Sequence, residues 1–235
     1  MIKFILKYLF VFISGSILGW CLEVVYRRYF GLAKKWINPG FLSGPYLPLY
    51  GSALCVLYII SDMHILFYVK VILFAIVTTS LEYLTGLFFL RVYHTRLWDY
   101  RKLKFNIQGL ISPLYSLFWL ILSLIFYYLL YPYFYEKIQF LYENLEFSLF
   151  VGFVLGIIFF DFIQAFNVLK KLHYLADQVD EFRVIIEYEK LKLEIRERFK
   201  HRGSFLFPFS GEFNLKQSVK EHAEKIRIRV NNFHK

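Results

Sequence analysis

The chain has 235 residues, of which 58% are hydrophobic and 22% aromatic, and it carries a formal net charge of +10. Its mean hydropathy is +0.46. A soluble globular domain has about 45–50% apolar residues, so this composition excludes such a domain and favours a membrane protein. The two cysteines, Cys21 and Cys55, lie within apolar runs and form neither a disulfide framework nor a zinc-binding spacing.

Five apolar runs are predicted to form membrane helices, since about 20 apolar residues cross a bilayer core. The first run is longer than the hydrophobic region of a secretory signal, which predicts an uncleaved helix. Pro45, Pro48 and Gly51 interrupt the start of the second run, which predicts a kink or a partly re-entrant segment that is buried in protein or lines a wet cavity. The predicted spans are Phe4–Tyr26, Gly44–Ile60, Ile65–Leu90, Pro113–Tyr131 and Phe147–Phe166.

Lysine and arginine are concentrated in the loops that follow the first and third predicted spans. Because these residues collect on the cytoplasmic side of a bilayer, both loops and the C-terminal tail are expected to be cytoplasmic, and the N-terminus outside. Lys3 and Lys7 favour the opposite orientation but are outnumbered. The loop cations are Arg27, Arg28, Lys34, Lys35, Arg91, Arg96, Arg101, Lys102 and Lys104.

Two similar segments, Asn38–Tyr50 and Asn106–Tyr115, follow these spans. In each segment an Asn lies seven positions before a Pro, and a Leu-Glu pair lies in the preceding apolar run. This pattern predicts two parallel two-helix repeats, about residues 4–60 and 65–131, related by an axis along the membrane normal. Both segments enter the membrane from one side, which makes them a candidate gate or docking surface. Its residues are Asn38, Gly40, Gly44, Pro45, Tyr46, Trp98, Asp99, Asn106, Gly109 and Pro113.

Three predicted spans each carry one carboxylate in the half expected to be cytoplasmic: Glu23, Glu82 and Asp161. A charged side chain inside a bilayer costs about 2.5–3.5 kcal/mol on insertion scales, so it usually faces a bundle interior and marks function. Glu23 is expected to pair with Arg27 four residues on. Glu82, flanked by hydroxyl residues, is the strongest candidate for a polar path. Asp161 and Gln164 share a helix face, which forms either a site wall or interhelix hydrogen bonds.

The composition changes from apolar to charged at about residue 169. We therefore predict a transmembrane domain at 1–168, with its fifth span at about 147–166, and a cytoplasmic tail at 169–235. Within the tail, Lys170–Lys200 has apolar residues every three to four positions, which predicts a helix that is either a short coiled coil or lies on the membrane surface. The expected fold class is all-α, a polytopic membrane helix bundle of about five spans with a cytoplasmic C-terminal helix.

The sequence offers no catalytic constellation. It lacks a G-x-x-x-x-G-K phosphate loop, a G-x-S-x-G nucleophile elbow and histidines at paired metal-ligand spacing. The chain is therefore predicted not to be an enzyme, and neither a cofactor nor a metal is expected. Its basic tail has no nucleic-acid-binding motif, so nucleic acid is not an expected partner. The lysines and arginines of the tail either follow the positive-inside bias or meet anionic lipid.

Five motifs in this order resemble one bacterial family, described as ABC-transporter type IV permease proteins. The similarity covers roughly residues 5–135 and leaves out the fifth span and the tail. The resemblance implies a bacterial multi-pass plasma-membrane protein that forms the permease part of a transporter, and it supplies no substrate. The motifs are Gly19–Glu23, Asn38–Gly51, Leu81–Tyr83, Trp98–Tyr100 and Asn106–Gly109.

The expected function is therefore that of a permease-like transport component, driven by a separate ATPase subunit or an ion gradient. The alternative is a membrane scaffold or regulator that recruits partners through Lys170–Lys200. A membrane enzyme using Asn38, Asn106, Trp98 and Asp99 is disfavoured, since no nucleophile or metal set accompanies them. Besides the bilayer, the expected partner is either the ATPase subunit or a second copy of the chain.

Overall fold

A computed structural model describes residues 2–30, 34, 36–179, 185–198, 218, 221–222 and 224–225. The chain is an all-α membrane helix bundle, and two very short strands occur in these described residues. The helices are α1 (Ile2–Tyr29), α2 (Pro48–Asp62), α3 (Phe67–Tyr93), α4 (Pro113–Ile125), α5 (Tyr131–Glu143), α6 (Ser148–Val179) and α7 (Tyr188–Arg198), and the strands are β1 (Thr95–Arg96) and β2 (Ile186–Glu187).

In the described ranges, four helical segments are long and apolar enough to cross a bilayer, one fewer than the predicted spans. The exception is α2, whose 15 residues rise about 22 Å, against a hydrocarbon core of about 30 Å. This helix begins at Pro48 rather than at Gly44, because proline fits the first turn of a helix, where no N–H is needed. The four segments are Ile2–Tyr29, Phe67–Tyr93, Pro113–Glu143 and Leu145–Tyr174.

The residues just before α2 are non-helical and, apart from Pro45, buried. Gly44, Tyr46 and Leu47 are covered by the rest of the chain, and the N–H of Leu47 donates to the carbonyl of Ser16 on α1 at 2.9 Å. Non-helical backbone at membrane depth requires such cover. The non-helical start of this span is thus buried in protein, and a partly re-entrant path stays a prediction.

Helix α2 packs antiparallel against α1. At one end Lys7 Nζ lies 3.4 Å from Asp62 Oδ2. Towards the other end, a Cβ added to Gly19 would lie 2.2 Å from the Tyr50 ring, and Gly15 is similarly close to α2. Small residues at this spacing allow the two backbones to approach closely.

The fourth span is longer than predicted. A five-residue π turn, Phe126–Leu130, joins α4 to α5, and the helix continues to Glu143 instead of ending at Tyr131. Pro132 accounts for the wide turn, because it lacks an N–H and its ring would clash with the carbonyl four residues earlier. The helix therefore widens and continues.

Helix α6 is continuous from Ser148 to Val179 and passes through the predicted domain boundary at residue 168. Its inner face packs against α1 through residues such as Ile158. Its opposite face carries Gly152 and Gly156, where an added Cβ would meet no atom within 4 Å. The described part of the chain thus leaves this outer face open.

The predicted continuous helix Lys170–Lys200 is wrong. Ile186–Glu187 is extended and pairs in parallel with Thr95–Arg96, and the β-branched residues at this point favour extended backbone. Helix α7 then begins, with Tyr188 and Leu191 buried against α3 and α6 in an apolar core. The buried side of α7 thus contacts the bundle, and its position relative to the membrane surface stays a prediction.

Candidate functional site

Asp161 of α6 is bound by the loop that precedes α2. Its carboxylate accepts the N–H of Ser43 at 3.0 Å, the N–H of Gly44 at 2.8 Å and the hydroxyl of Tyr46 at 2.7 Å. The residue is only 8% exposed, and hydrogen bonds of this kind are the usual compensation for a buried charge. Asp161 therefore fixes loop 36–47 to the bundle. Gln164 is exposed, so the structure does not bring the two predicted partners together.

Asn38 shapes the same loop from within. Its Nδ2 donates to the carbonyls of Leu42 at 3.1 Å and Ser43 at 2.8 Å, and its Oδ1 accepts the indole N–H of Trp20 at 2.9 Å. A Cβ on Gly40 would lie 2.5 Å from a terminal methyl group of Leu47, so a larger residue there would have to displace that side chain. The predicted gate residues of this loop thus hold its shape, apart from the exposed Pro45.

Asn106 has the same task in loop 94–112. Its Oδ1 accepts the N–H of Gly109 at 2.9 Å, and its Nδ2 donates to the carbonyl of Leu103 at 2.8 Å. Gly109 has a φ of +69°, in the left-handed region that favours glycine. Pro113 is exposed and forms the first turn of α4. These contacts are structural, and a gating role for either loop stays a prediction.

Trp98 and Asp99 point away from each other. The Trp98 indole donates to the carbonyl of Leu110 at 2.7 Å, whereas Asp99 is exposed and forms a bidentate pair with Arg101 at 2.8 and 2.7 Å. Burial raises the pKa of Asp99, but the hydrogen bonds and charge of Arg101 outweigh it, so the pKa lies below its ordinary value. The next residue, Tyr100, is the one that reaches into the bundle.

Two of the three predicted carboxylates meet in a group of aromatic residues between α1, α2, α3 and α4, which we call the acid–tyrosine cluster. Its members are connected by hydrogen bonds, ring contacts or short-range charge interactions. They are Glu23, Tyr26, Arg27, Tyr50, Glu82, Tyr100, Tyr115 and Trp119.

Glu23 is paired as predicted. Arg27 Nε donates to its Oε1 at 3.0 Å, and the Tyr50 hydroxyl of α2 donates to its Oε2 at 2.9 Å. Arg27 is shared with the tail, because its Nη1 lies 2.5 Å from Glu189 Oε2 of α7. The expected i,i+4 ion pair is therefore one part of a three-residue arrangement.

Among the acids whose burial the structure describes, Glu82 is the most deeply buried, at 3% exposure. Its Oε1 accepts the Tyr100 hydroxyl at 3.0 Å. Within the described ranges no residue donates a well-aligned hydrogen bond to Oε2, although the indole of Trp119 lies close to this carboxylate. Burial, together with the charges of Glu82 and Glu23, raises the pKa of Tyr100 well above its ordinary value, so the phenol stays protonated and donates.

The tyrosines link the two acids. Tyr100 stacks on Tyr115 with ring centroids 4.1 Å apart, and the Tyr115 hydroxyl lies 2.7 Å from that of Tyr26, one turn from Glu23. On the other side, Tyr50 and Trp119 have ring centroids 4.8 Å apart. None of these aromatic residues was among the predicted site residues.

A repeated triplet could have identified two of these tyrosines. Pro48-Leu49-Tyr50 opens α2 and Pro113-Leu114-Tyr115 opens α4, each with the proline in the first turn. The spacing from Asn38 and Asn106 instead aligns Pro45 with Pro113. When Pro48 is aligned with Pro113, Tyr50 and Tyr115 occupy equivalent positions. The internal repeat itself stays a prediction.

Residues 186–198, that is β2 and α7, lie across both loops, and we call them the strap. The N–H of Ile186 donates to the carbonyl of His94 at 2.9 Å, and Arg101 Nη2 lies 3.0 Å from Glu187 Oε1. Both contacts hold the strap to loop 94–112. The strap therefore reaches the loop that carries Tyr100.

The strap also contacts loop 36–47. Lys192 Nζ donates to the carbonyls of Asn38, at 3.2 Å, and of Gly40, and the Tyr188 hydroxyl donates to the carbonyl of Phe41 at 3.3 Å. Burial lowers the pKa of Lys192 to about 7, with the charge of Arg27 acting in the same direction. The tail thus contributes a buried lysine that sequence patterns gave no reason to expect.

Comparison with known proteins places this architecture in a family. The model of the family described as "Putative ABC-transporter type IV" matches residues 10–166, more than half of the chain. The chain belongs to this family. The match extends beyond the motifs noted in the sequence and includes the part of α6 that carries Asp161. Comparisons with curated proteins and with solved structures found no match. The family and the apolar helices identify a multi-pass membrane protein related to transport.

Proposed function

We propose that this family member is the permease-like component of a transporter, and that its polar path passes through the acid–tyrosine cluster. The observation that carries the proposal is Glu82, a buried carboxylate with one oxygen bound by Tyr100 and the other without a well-aligned donor in the described chain. Such a group attracts a proton, a cation or a polar substrate group. Energy would come from a separate ATPase subunit or an ion gradient.

The contrast with Asp161 supports this choice of acid. Asp161 accepts two backbone N–H groups and one hydroxyl, so its charge is compensated by the fold. Near Glu82 the charges are unbalanced, because Glu23 and Glu82 share the cluster with Arg27, which is also bound by Glu189. The cluster therefore contains more acidic than basic groups, and a proton or a transported cation would balance them.

The test measures the levels of small molecules inside and outside three kinds of cell and compares them. The cells carry the wild-type chain, no chain, or the Glu82→Gln chain. We expect deletion and Glu82→Gln to change the level of the same solute, although Glu82→Gln inserts normally. Glu136→Gln is the matched control, because Glu136 lies in α5 and pairs only with the neighbouring Lys137 within the described residues. A wild-type solute pattern in Glu82→Gln cells would contradict the assignment of Glu82.

A scaffold that recruits partners through the tail is the second candidate, and the docking of the strap on both loops favours it. Truncation after Val179 tests it without cutting α6, whereas truncation at residue 168 would remove the buried Leu169 and Leu172. A scaffold should lose its co-purifying partner on truncation and keep it in Glu82→Gln. Recovery of an ATPase subunit with the Glu82→Gln chain would support the permease proposal, provided that the solute change is also seen.

A further inference from the structure

We propose that the strap regulates the acid–tyrosine cluster by deciding how Arg27 is shared between Glu189 of the strap and Glu23 of the cluster. This inference rests on the proposed function, since it assigns a regulator to the same site. It names Glu189 as a positioning residue that acts on Glu23 through one guanidinium group.

The geometry of Arg27 carries the proposal. Its Nε donates to Glu23 at 3.0 Å, while its Nη1 lies 2.5 Å from Glu189. A guanidinium binds a carboxylate best through two parallel N–H groups, and here each carboxylate receives one. When the strap leaves, Arg27 is free to turn both groups towards Glu23. The docked strap therefore keeps Glu23 only partly neutralised, and the released strap leaves it fully paired.

The strap is suited to reversible docking. Seven of the eleven residues of α7 are charged, so the released helix is well solvated. Its pairing with β1 involves two residues per strand, and Arg101, which holds Glu187, is 51% exposed. Exposed ion pairs of this kind contribute little to stability. The Arg27 side chain is only 15% exposed, so its pair with Glu189 is better shielded from water than the pair of Arg101 with Glu187, and it adds to the apolar contacts of the strap.

Docking also links the cluster to loop 36–47. Lys192 binds the carbonyls of Asn38 and Gly40, and Asn38 in turn binds Trp20 on α1, one turn before Glu23. The strap therefore contacts the Glu23 region both through Arg27 and through the loop that covers it. We infer that the docked state, in which Glu23 retains negative charge, is the one competent to bind a cation.

A double-mutant cycle tests the sharing of Arg27 in the full chain, reconstituted in lipid nanodiscs. The readout is hydrogen exchange of the Ile186 amide, which donates to His94 when the strap is docked. We expect Glu189→Gln to reduce protection on the order of tenfold. Glu23→Gln is expected to increase protection, because Arg27 is then left to Glu189, and this increase should vanish when Glu189→Gln is also present.

Additive effects in the cycle, or no effect of Glu23→Gln, would overturn the proposal. Glu136→Gln is the control and should leave Ile186 protection unchanged. Glu189 is 36% exposed on its side chain, so glutamine is tolerated there without burial of a new polar group. These readouts do not depend on transport.

A second experiment measures transport, using the solute whose level changes in Glu82→Gln cells. We expect Glu189→Gln to reduce the effect of the chain on that solute at least about twofold, because the strap is released more often. If Glu189→Gln releases the strap and the solute level stays that of wild type, the regulatory inference fails while the proposed function stands. If Glu82→Gln leaves solutes unchanged, the proposed function fails, whatever the exchange cycle shows.

Discussion

Loops 36–47 and 94–112 lie at the same end of the bundle and lead into helices that begin with Pro-Leu-Tyr, yet they are stabilised in different ways. Loop 36–47 depends on Asp161, 118 residues away, and on Lys192, 154 residues away. Loop 94–112 contains its own main contacts, from Trp98 to Leu110 and from Asn106 to its neighbours.

The difference assigns the loops different tasks. A loop with internal contacts keeps its shape when distant elements move, so loop 94–112 can hold Tyr100 against Glu82 in every state of the tail. A loop fixed by α6 and by the strap changes when either one moves. Of the two loops, loop 36–47 is therefore the one whose shape depends more on the tail.

The largest expected effect is that of Asp161→Ala. The substitution leaves two buried N–H groups and the Tyr46 hydroxyl without an acceptor, and each unsatisfied group costs about 1–3 kcal/mol. We expect a loss of about 3 kcal/mol or more in the free energy of unfolding, measured by denaturant titration in detergent. A loss below about 1 kcal/mol would mean that loop 36–47 does not depend on α6.

Matched asparagine substitutions compare the loops directly. Asn38 is 2% exposed, so Asn38→Ala removes the hydrogen bonds that Asn38 forms with two loop carbonyls and the Trp20 indole, at a cost of about 2–4 kcal/mol. Asn106 is partly exposed, so water replaces its contacts and Asn106→Ala should cost about 1 kcal/mol or less. Unfolding titrations of both variants in one detergent measure the difference, and equal losses would contradict it.

The helical part of the fold was largely predictable because apolar runs of sufficient length have few alternatives in a bilayer. The second span was harder to place. Its helix starts at Pro48, since Gly44 to Leu47 find hydrogen bonds with α1 and α6 instead of within a helix. The two Gly-x-x-x-Gly pairs also look alike in the sequence, yet Gly15 is packed and Gly152 is open.

The candidate site was predictable for its acids and not for its tyrosines. A carboxylate in an apolar run stands out, because burial of charge is costly. Tyr50 and Tyr100 do not stand out among 19 tyrosines, most of which fit a membrane interface equally well. The strap was also not predictable from the sequence. The apolar spacing of Lys170–Lys200 is that of one helix, whereas the extended backbone at Ile186 depends on its pairing with a strand that is distant in the sequence.

A smaller effect is expected from pH, through Lys192. Its pKa is about 7 when docked and near the ordinary 10.5 when the strap is released. Between these values the released state binds one more proton, so docking strengthens as pH rises, by up to about tenfold per unit, and becomes independent of pH below about 7. The charge of Arg27 adds to this shift and that of Glu189 opposes it.

Distances between spin labels on Lys102→Cys and Lys190→Cys, with Cys21 and Cys55 replaced by serine, measure the docked fraction from pH 6 to 9.5. Lys192→Met removes this titrating group and should abolish the rise of the docked fraction above about pH 7. A wild-type fraction that falls with rising pH would contradict the assigned sign.

The smallest expected effect on stability is that of Glu82→Gln. The amide has the shape of the carboxylate, can accept from Tyr100, and removes a buried charge whose second oxygen lacks a well-aligned donor in the described chain. We expect the free energy of unfolding to change by less than about 1 kcal/mol or to increase. Because Asp161→Asn places an NH2 group against donors of loop 36–47, it should destabilise more than Glu82→Gln. Equal losses of unfolding free energy would mean that the fold satisfies the hydrogen bonds of both carboxylates equally. Glu82 would then have no carboxylate oxygen available to bind a ligand.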